Sequence, residues 1–311
     1  MKFKLLRAGG IYGIGNVISA GVPFLLLPVL TRALSPADYG MVIGFFMLAS
    51  LSSSLAGLSV HGAVSVKWFQ RHTHDFPRLV GAALGVAIGS TLLCGILLLG
   101  FAPLLKAKLD LAPQFWFMAA IYTGANVILG IRTSLWQSQG LPMQSASLQV
   151  ASAILNVGLS LLGVFALSLG GEGRIYGAVA ASIASASAAA WFLFRAHDAR
   201  WSIAKSEVSS LLRFGVPLIP HALAGSLMLT ADRFAVASLL GREVLGIYGT
   251  AAQLGMAMSV VGDAMVKAAS PWMYSQMSSR TTRASLRIVG ATYLLIPISI
   301  LVALGLWLVL K

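Results

Sequence analysis

Charge is what this sequence most lacks. Asp, Glu, Lys and Arg make up 10% of its 311 residues, and only nine residues are acidic. Soluble domains carry roughly 25% charged residues, so this chain has too little polar surface to cover itself in water. Cysteine is scarcer still. Cys94 stands alone, which excludes a disulfide framework and argues against a metal cluster. His72 and His74 lie in a loop with no further ligand nearby, so no metal site is expected. The sequence holds no nucleotide-binding glycine loop, no nucleophile beside a base and no paired carboxylates in one apolar segment. Catalysis and a cofactor are therefore not expected.

What the sequence does have is long apolar runs. Hydrophobic residues make up 58%, and the mean hydropathy is +0.85. About 20 apolar residues in a helix cross a ~30 Å hydrocarbon core. Nine stretches meet that length: Ala8–Leu30, Tyr39–Val66, Leu79–Leu105, Leu111–Ile131, Ser145–Leu169, Ile175–Phe194, Phe214–Ala231, Gly246–Met273 and Ile288–Leu310. Only the eighth carries charge, as Asp263 and Lys267. Backbone groups in lipid must be satisfied within the segment, and the runs do not alternate as barrel strands do. The expectation is an all-α polytopic membrane protein of about nine transmembrane helices. The first run is too long for a signal-peptide core and reads as a retained span.

The net charge of +13 is informative through its placement. With a cytoplasmic N-terminus, fifteen Lys and Arg fall inside and seven outside, the bias of the positive-inside rule. The cations are spread among membrane-flanking loops without a single basic face, so nucleic acid is not an expected partner.

Residues 196–213, AHDARWSIAKSEVSSLLR, mix Trp201, Ile203, Val208, Leu211 and Leu212 with Arg200, Lys205, Glu207 and Arg213. The pattern predicts an interfacial connector helix between a six-helix lobe at 1–195 and a partial, three-helix lobe at 214–311. The chain echoes itself across that connector. Leu5-Leu6-Arg7 matches Leu211-Leu212-Arg213 at an offset of 206, and the same offset takes Leu34 to Leu240 and Gly40 to Gly246. Both copies start from the same side, so the repeat is parallel, as in transporters whose substrate site lies between repeats. Three spans after the connector against six before it predict an incomplete second lobe, from a fragment or a shortened form of a two-lobed exporter. Pro23 and Pro28, and Pro217 and Pro220, are placed to kink the helix that opens each lobe. Gly81, Gly85 and Gly89, and Ala178, Ser182, Ala186 and Ala190, recur every four residues and read as close-packing stripes.

Leu25–Gly40, LLLPVLTRALSPADYG, resembles the first-span signature of polysaccharide flippases, the Wzx-like O-antigen and capsule exporters of the multidrug/oligosaccharidyl-lipid/polysaccharide superfamily. Phe214–Leu254 is similar to the opening of that family's second lobe. It carries Pro217 and Pro220, Asp232-Arg233 and the Gly246-Ile247-Tyr248 turn. The chain departs from the family in length, since members usually have twelve or more helices.

The resemblance implies translocation of undecaprenyl-diphosphate-linked oligosaccharide by alternating access across the bacterial inner membrane. The units would serve O-antigen, lipopolysaccharide, capsule or exopolysaccharide synthesis. Membrane lipids are implied partners, as are a polysaccharide polymerase and chain-length machinery.

A charged group inside lipid is costly, roughly +2.5 to +3.5 kcal/mol at mid-helix, so it faces a cavity or a partner. Candidate contacts to the diphosphate are Arg132, Lys67, Lys267, Arg32 and Arg233. Arg132 either snorkels to headgroups or captures the diphosphate bidentately at the cytoplasmic mouth. Lys267 and Asp263, one turn apart, either neutralise each other or meet a diphosphate and a coupling ion. Asp232 is the second candidate for ion coupling, or simply balances Arg233. Tyr12, Asn16, Asn126 and Asn156 are candidate sugar contacts. They are equally suited to binding neighbouring helices, as are Ser152 and Ser160 on the Asn156 face. Two other functions compete. A multidrug cation antiporter of the same superfamily would need an acidic or aromatic cavity. A transport-inactive partner in a polysaccharide assembly complex would fit the missing helices.

Overall fold

The structure, a computed structural model, describes residues 26–71, 75–201 and 204–278 and six positions between 289 and 304. At 104–108 and 257–278 it describes the backbone alone. Every regular element among the described residues is helical. After a helical stretch at 26–33 come α1 (Pro36–Ser52), α2 (Val60–Trp68), α3 (Phe76–Leu109), α4 (Pro113–Ser138), α5 (Pro142–Leu161), α6 (Gly170–Arg195), α7 (Lys205–Gly215) and α8 (Ile219–Ser278). A π-turn at Leu162–Ala166 extends α5, and a 3₁₀ turn at Val216–Leu218, holding Pro217, joins α7 to α8. The α8 helix is broken at Gly241, where φ is 86° and ψ 179°.

Five stretches among the described residues are long and apolar enough to cross a membrane: Phe76–Pro103, Pro113–Ser138, Pro142–Ala166, Gly170–Arg195 and Lys205–Met256. The last contains the Gly241 break. Two compact units divide the chain, Met1–Thr250 and Ala251–Lys311. In the first unit α4 and α6 are central: α4 packs on α1, α2, α3, α5 and α6, and α6 also packs on α1 and α5. The described part of the second unit is the C-terminal stretch of α8 and isolated helical positions beyond it.

The start of α1 explains the Ser-Pro-Ala-Asp of the first signature. Ser35 caps the helix by accepting from the Asp38 N–H at 3.1 Å, and its hydroxyl donates to Asp38 Oδ2 at 2.7 Å. Pro36 occupies the first helical turn, where no backbone donor is needed.

The second expected span, Tyr39–Val66, is not one helix. It breaks between Ser52 and Val60, where Gly57, Leu58 and Ser59 have φ of 81°, 44° and 52°. Serine hydroxyls there bond nearby backbone carbonyls, Ser52 to Leu48 and Ser53 to Ser50, and Ser90 Oγ accepts from the Gly57 N–H at 2.8 Å. Such local bonds compete with the helical ladder. Among the described residues the connector is helical only from Lys205, where α7 buries Leu211 and packs on α2 and α3.

The core of the first unit gathers at Val60, Val64, Phe76, Leu79, Val80, Ile131, Leu135, Leu193 and Leu211. Cys94 lies in a smaller cluster with Ala56 and Ala120 and acts as an apolar packing residue. The outer faces are apolar, as lipid requires: Leu92, Leu93 and Ile96 of α3 and Met228 and Leu239 of α8 are exposed.

In lipid, helices associate through close packing rather than through expulsion of water. Accordingly Gly163 and Gly173 meet backbone to backbone, and the Ala178–Ser182–Ala186 stripe of α6 is buried. The glycine stripe of α3 does not act as expected throughout, because Gly89 faces open space.

Candidate functional site

Arg174 lies in the first turns of α6 and is 92% buried, with 8% of its surface exposed. Its Nη1 donates to Asn156 Oδ1 at 2.9 Å and to Ser160 Oγ at 2.6 Å. Asn156 and Ser160 are one turn apart on α5, so the 3.6-residue period points both at one guanidinium. The guanidinium also lies 5.1 Å from the centroid of the Phe46 ring. Phe46 stands edge-on to Tyr122 at 5.6 Å, and Tyr122 to Phe45 at 6.0 Å. Asn126, one turn further along α4, is exposed and donates to the Tyr122 carbonyl at 2.8 Å. Four helices thus bring together a buried cation, three aromatic rings and two side-chain amides. Among the described residues no carboxylate forms an ion pair with Arg174.

A burial this deep costs an unpaired charge several kcal/mol unless something compensates it. Two neutral oxygens and a ring face do so only in part. The cluster therefore suits an anionic group carrying hydroxyls: the guanidinium forks onto phosphate oxygens, the amides bond hydroxyls and the rings offer flat faces.

Arg132 occupies a different environment. It is 3% exposed at the far end of α4, its Nη1 meets Asp198 Oδ2 at 2.5 Å, and its guanidinium stacks 4.0 Å from the Trp136 centroid. Gln139 Nε2 donates to the other oxygen of Asp198 at 3.2 Å. Arg132 therefore does not snorkel. It pins the chain after α6 to the end of α4. Arg174 and Arg195 mark the two ends of α6, roughly 30 Å apart by helical rise, so the two buried arginines belong to opposite ends of the unit.

The other expected site residues are scattered. Lys67 is half-buried near the end of α2, and Arg32 is exposed before α1. Asp232 and Arg233 lie within α8 rather than in a loop, and Asp232 accepts from Tyr248 Oη at 2.7 Å across the Gly241 break. Tyr12 and Asn16 lie outside the described residues, as do the side chains of Asp263 and Lys267. Arg174 is the residue that reading along the sequence misses. Locally it is one more flanking cation after a loop, and only the Asn156–Ser160 face hints at a polar partner.

The family model for polysaccharide biosynthesis proteins matches residues 5–277. The chain belongs to this family. Among curated relatives of this chain are two from Haemophilus influenzae. The Lsg locus putative protein 1 is 28% identical over 89% of this chain and 68% of that protein, and an uncharacterized membrane protein is 26% identical over 90% and 68%. Solved structures show the same fold. A multidrug resistance MATE family transporter of the MOP superfamily, in its inward-facing conformation, matches with a TM-score of 0.62 at 14% identity, covering 89% of this chain and 64% of that one. A MOP superfamily transporter from Pyrococcus furiosus matches with a TM-score of 0.57 at 15% identity, covering 88% and 70%. The fold is the all-α, multi-pass membrane fold of MOP transporters.

Proposed function

We propose that this family member is a flippase for undecaprenyl-diphosphate-linked oligosaccharide, moving O-antigen, capsule or exopolysaccharide repeat units across the bacterial inner membrane by alternating access. The observation that carries the reading is the sign of the buried charge. Among the described residues the buried formal charges are Arg132 and Arg174, and no carboxylate is buried. An exporter of organic cations needs the opposite sign. The Pyrococcus furiosus neighbour is itself described as a transporter whose binding pocket has reverse polarity, so the fold accommodates either sign.

In this account Arg174 meets the diphosphate, while Asn156, Asn126 and the rings of Phe46 and Tyr122 meet sugars. Lys67, Arg32, Arg233 and Lys267 remain the sequence's further candidates for the diphosphate, and Tyr12 and Asn16 its further candidates for sugar. Asp232 and Asp263 are the candidates for ion coupling. The membrane potential supplies energy without a nucleotide: each charge is worth ~2.3 kcal/mol per 100 mV, so about two negative charges moved outward gain roughly 4–5 kcal/mol.

The testing experiment assigns lipid-linked sugar to leaflets in cells lacking the protein. The reading expects accumulation in the inner leaflet, reversed by the wild-type gene. Unchanged delivery to the outer leaflet overturns it.

A further inference from the structure

A second polar site lies at the other end of the first unit. The ends of α4 and α6 and the start of α5 enclose a groove of about 1040 Å³, lined by Arg132, Trp136, Gln139, Gln144, Trp191, Arg195 and Asp198 among others. In the flippase reading, with the N-terminus inside as the positive-inside bias favours, this end faces the cytoplasm. From this groove we infer an entry site for the phosphate and first sugars of a lipid-linked saccharide, separate from the Arg174 cluster. The inference rests on the flippase reading.

Four observations converge on an anion with a sugar beside it. Arg132 is buried and lines the groove, and its Nε has no hydrogen-bond partner. Arg195 stacks 4.8 Å from the centroid of Trp191, and among the described residues it meets no carboxylate or hydrogen-bond acceptor. A guanidinium laid on a ring keeps its N–H edge free for phosphate oxygens. The α5 helix starts at the groove with no side chain capping Leu141, so its N-terminal dipole and N–H groups also favour an anion. Finally, Trp191 is 51% exposed and its neighbour Phe192 packs on both Trp191 and Trp136, which holds a rigid flat face beside the exposed amide of Gln144.

Asp198 faces the same groove, but it is neutralised by Arg132. Arg195, in the last turn of α6, is left as the groove's cation without a carboxylate partner. A phospholipid headgroup would use the cations and leave the aromatic face and amides idle. A sugar phosphate uses all of them, and the groove is large enough to take sugars as well as phosphate.

The test uses the full chain in nanodiscs of uncharged phosphatidylcholine. A farnesyl-diphosphate-linked disaccharide is titrated while tryptophan fluorescence is read against Trp191→Phe. The expected result is a saturable signal carried by Trp191. Arg195→Ala should weaken binding at least about tenfold and Arg195→Lys should only partly restore it, as a bidentate contact requires. Equal binding by wild type and Arg195→Ala overturns the site. Phosphatidylglycerol producing the same Arg195-dependent signal at equal concentration overturns the saccharide as occupant.

Transport measured in parallel separates this inference from the reading beneath it. Arg195→Ala should raise the substrate concentration for half-maximal flipping and leave the maximal rate within about twofold. Unchanged substrate dependence overturns the entry site and leaves the flippase standing. A wild type that binds in the groove yet never flips the lipid overturns the flippase and supports the site.

Discussion

Gly40 and Gly246 lie back to back. A Cβ on Gly40 would strike the Arg242 carbonyl, and a Cβ on Gly246 would strike the Pro36 carbonyl and approach the Gly40 nitrogen to 2.9 Å. The offset of 206 residues that maps Gly40 onto Gly246 also maps Pro36 onto Arg242. The two contacts are thus one contact with its partners exchanged, the signature of an isologous, two-fold interface. The contact is what the echo in the sequence would produce, and the two signature segments meet at it. Only glycine permits this approach, because the neighbours are backbone that cannot swing aside.

Gly40→Ala and Gly246→Ala should each destabilise the protein by about 1–3 kcal/mol, the usual cost of overpacking. The double variant should cost less than the sum, because the first substitution already separates the strained backbones. Thermal unfolding in detergent, followed by tryptophan fluorescence, checks both statements. Full additivity would refute the shared contact.

Asp198→Ala should be more damaging than its position after a helix suggests. It leaves Arg132, whose side chain is 4% exposed, without its carboxylate, at a cost of about 3–5 kcal/mol for a broken buried pair. Arg132→Met together with Asp198→Ala should recover much of the loss, since an apolar replacement removes the stranded charge. The same unfolding assay on the three variants decides it.

Gly57→Ala should destabilise through two separable causes. The new Cβ collides with the methyl groups of Val127, and φ of 81° is unfavourable for any side chain. Adding Val127→Ala should therefore rescue only part of the loss and leave about 1 kcal/mol of backbone strain. Complete rescue would show that the turn relaxes freely.

How far the sequence foretold this fold follows from where the information lies. The helices α3, α4, α5 and α6 were legible because each is a long apolar run free of charge over its span. The break within Tyr39–Val66 was hidden because Ser, Gly and Leu make the turn without any charged residue to mark it. The Asn156–Ser160 face was legible from its period, and the structure confirms that both side chains act together. Their partner was not legible: Arg174 is 18 residues from Asn156 and reads locally as a membrane-flanking cation. Arg132 and Asp198, 66 residues apart, pair only once α4 and α6 pack. The sequence shows which faces are polar, and the tertiary fold decides which of them meet.

Reconstituted translocation by Arg174→Met tests the central claim most directly. Arg174→Met removes a costly buried charge but leaves Asn156 Oδ1 and Ser160 Oγ without their donor, at about 1–3 kcal/mol, so the variant should stay folded with a modestly lowered unfolding temperature. Its flipping of a polyprenyl-diphosphate-linked oligosaccharide in liposomes should fall by about a hundredfold, with Arg174→Lys intermediate because it keeps the charge and loses the fork. A folded Arg174→Met protein that flips the lipid at the wild-type rate would contradict the account.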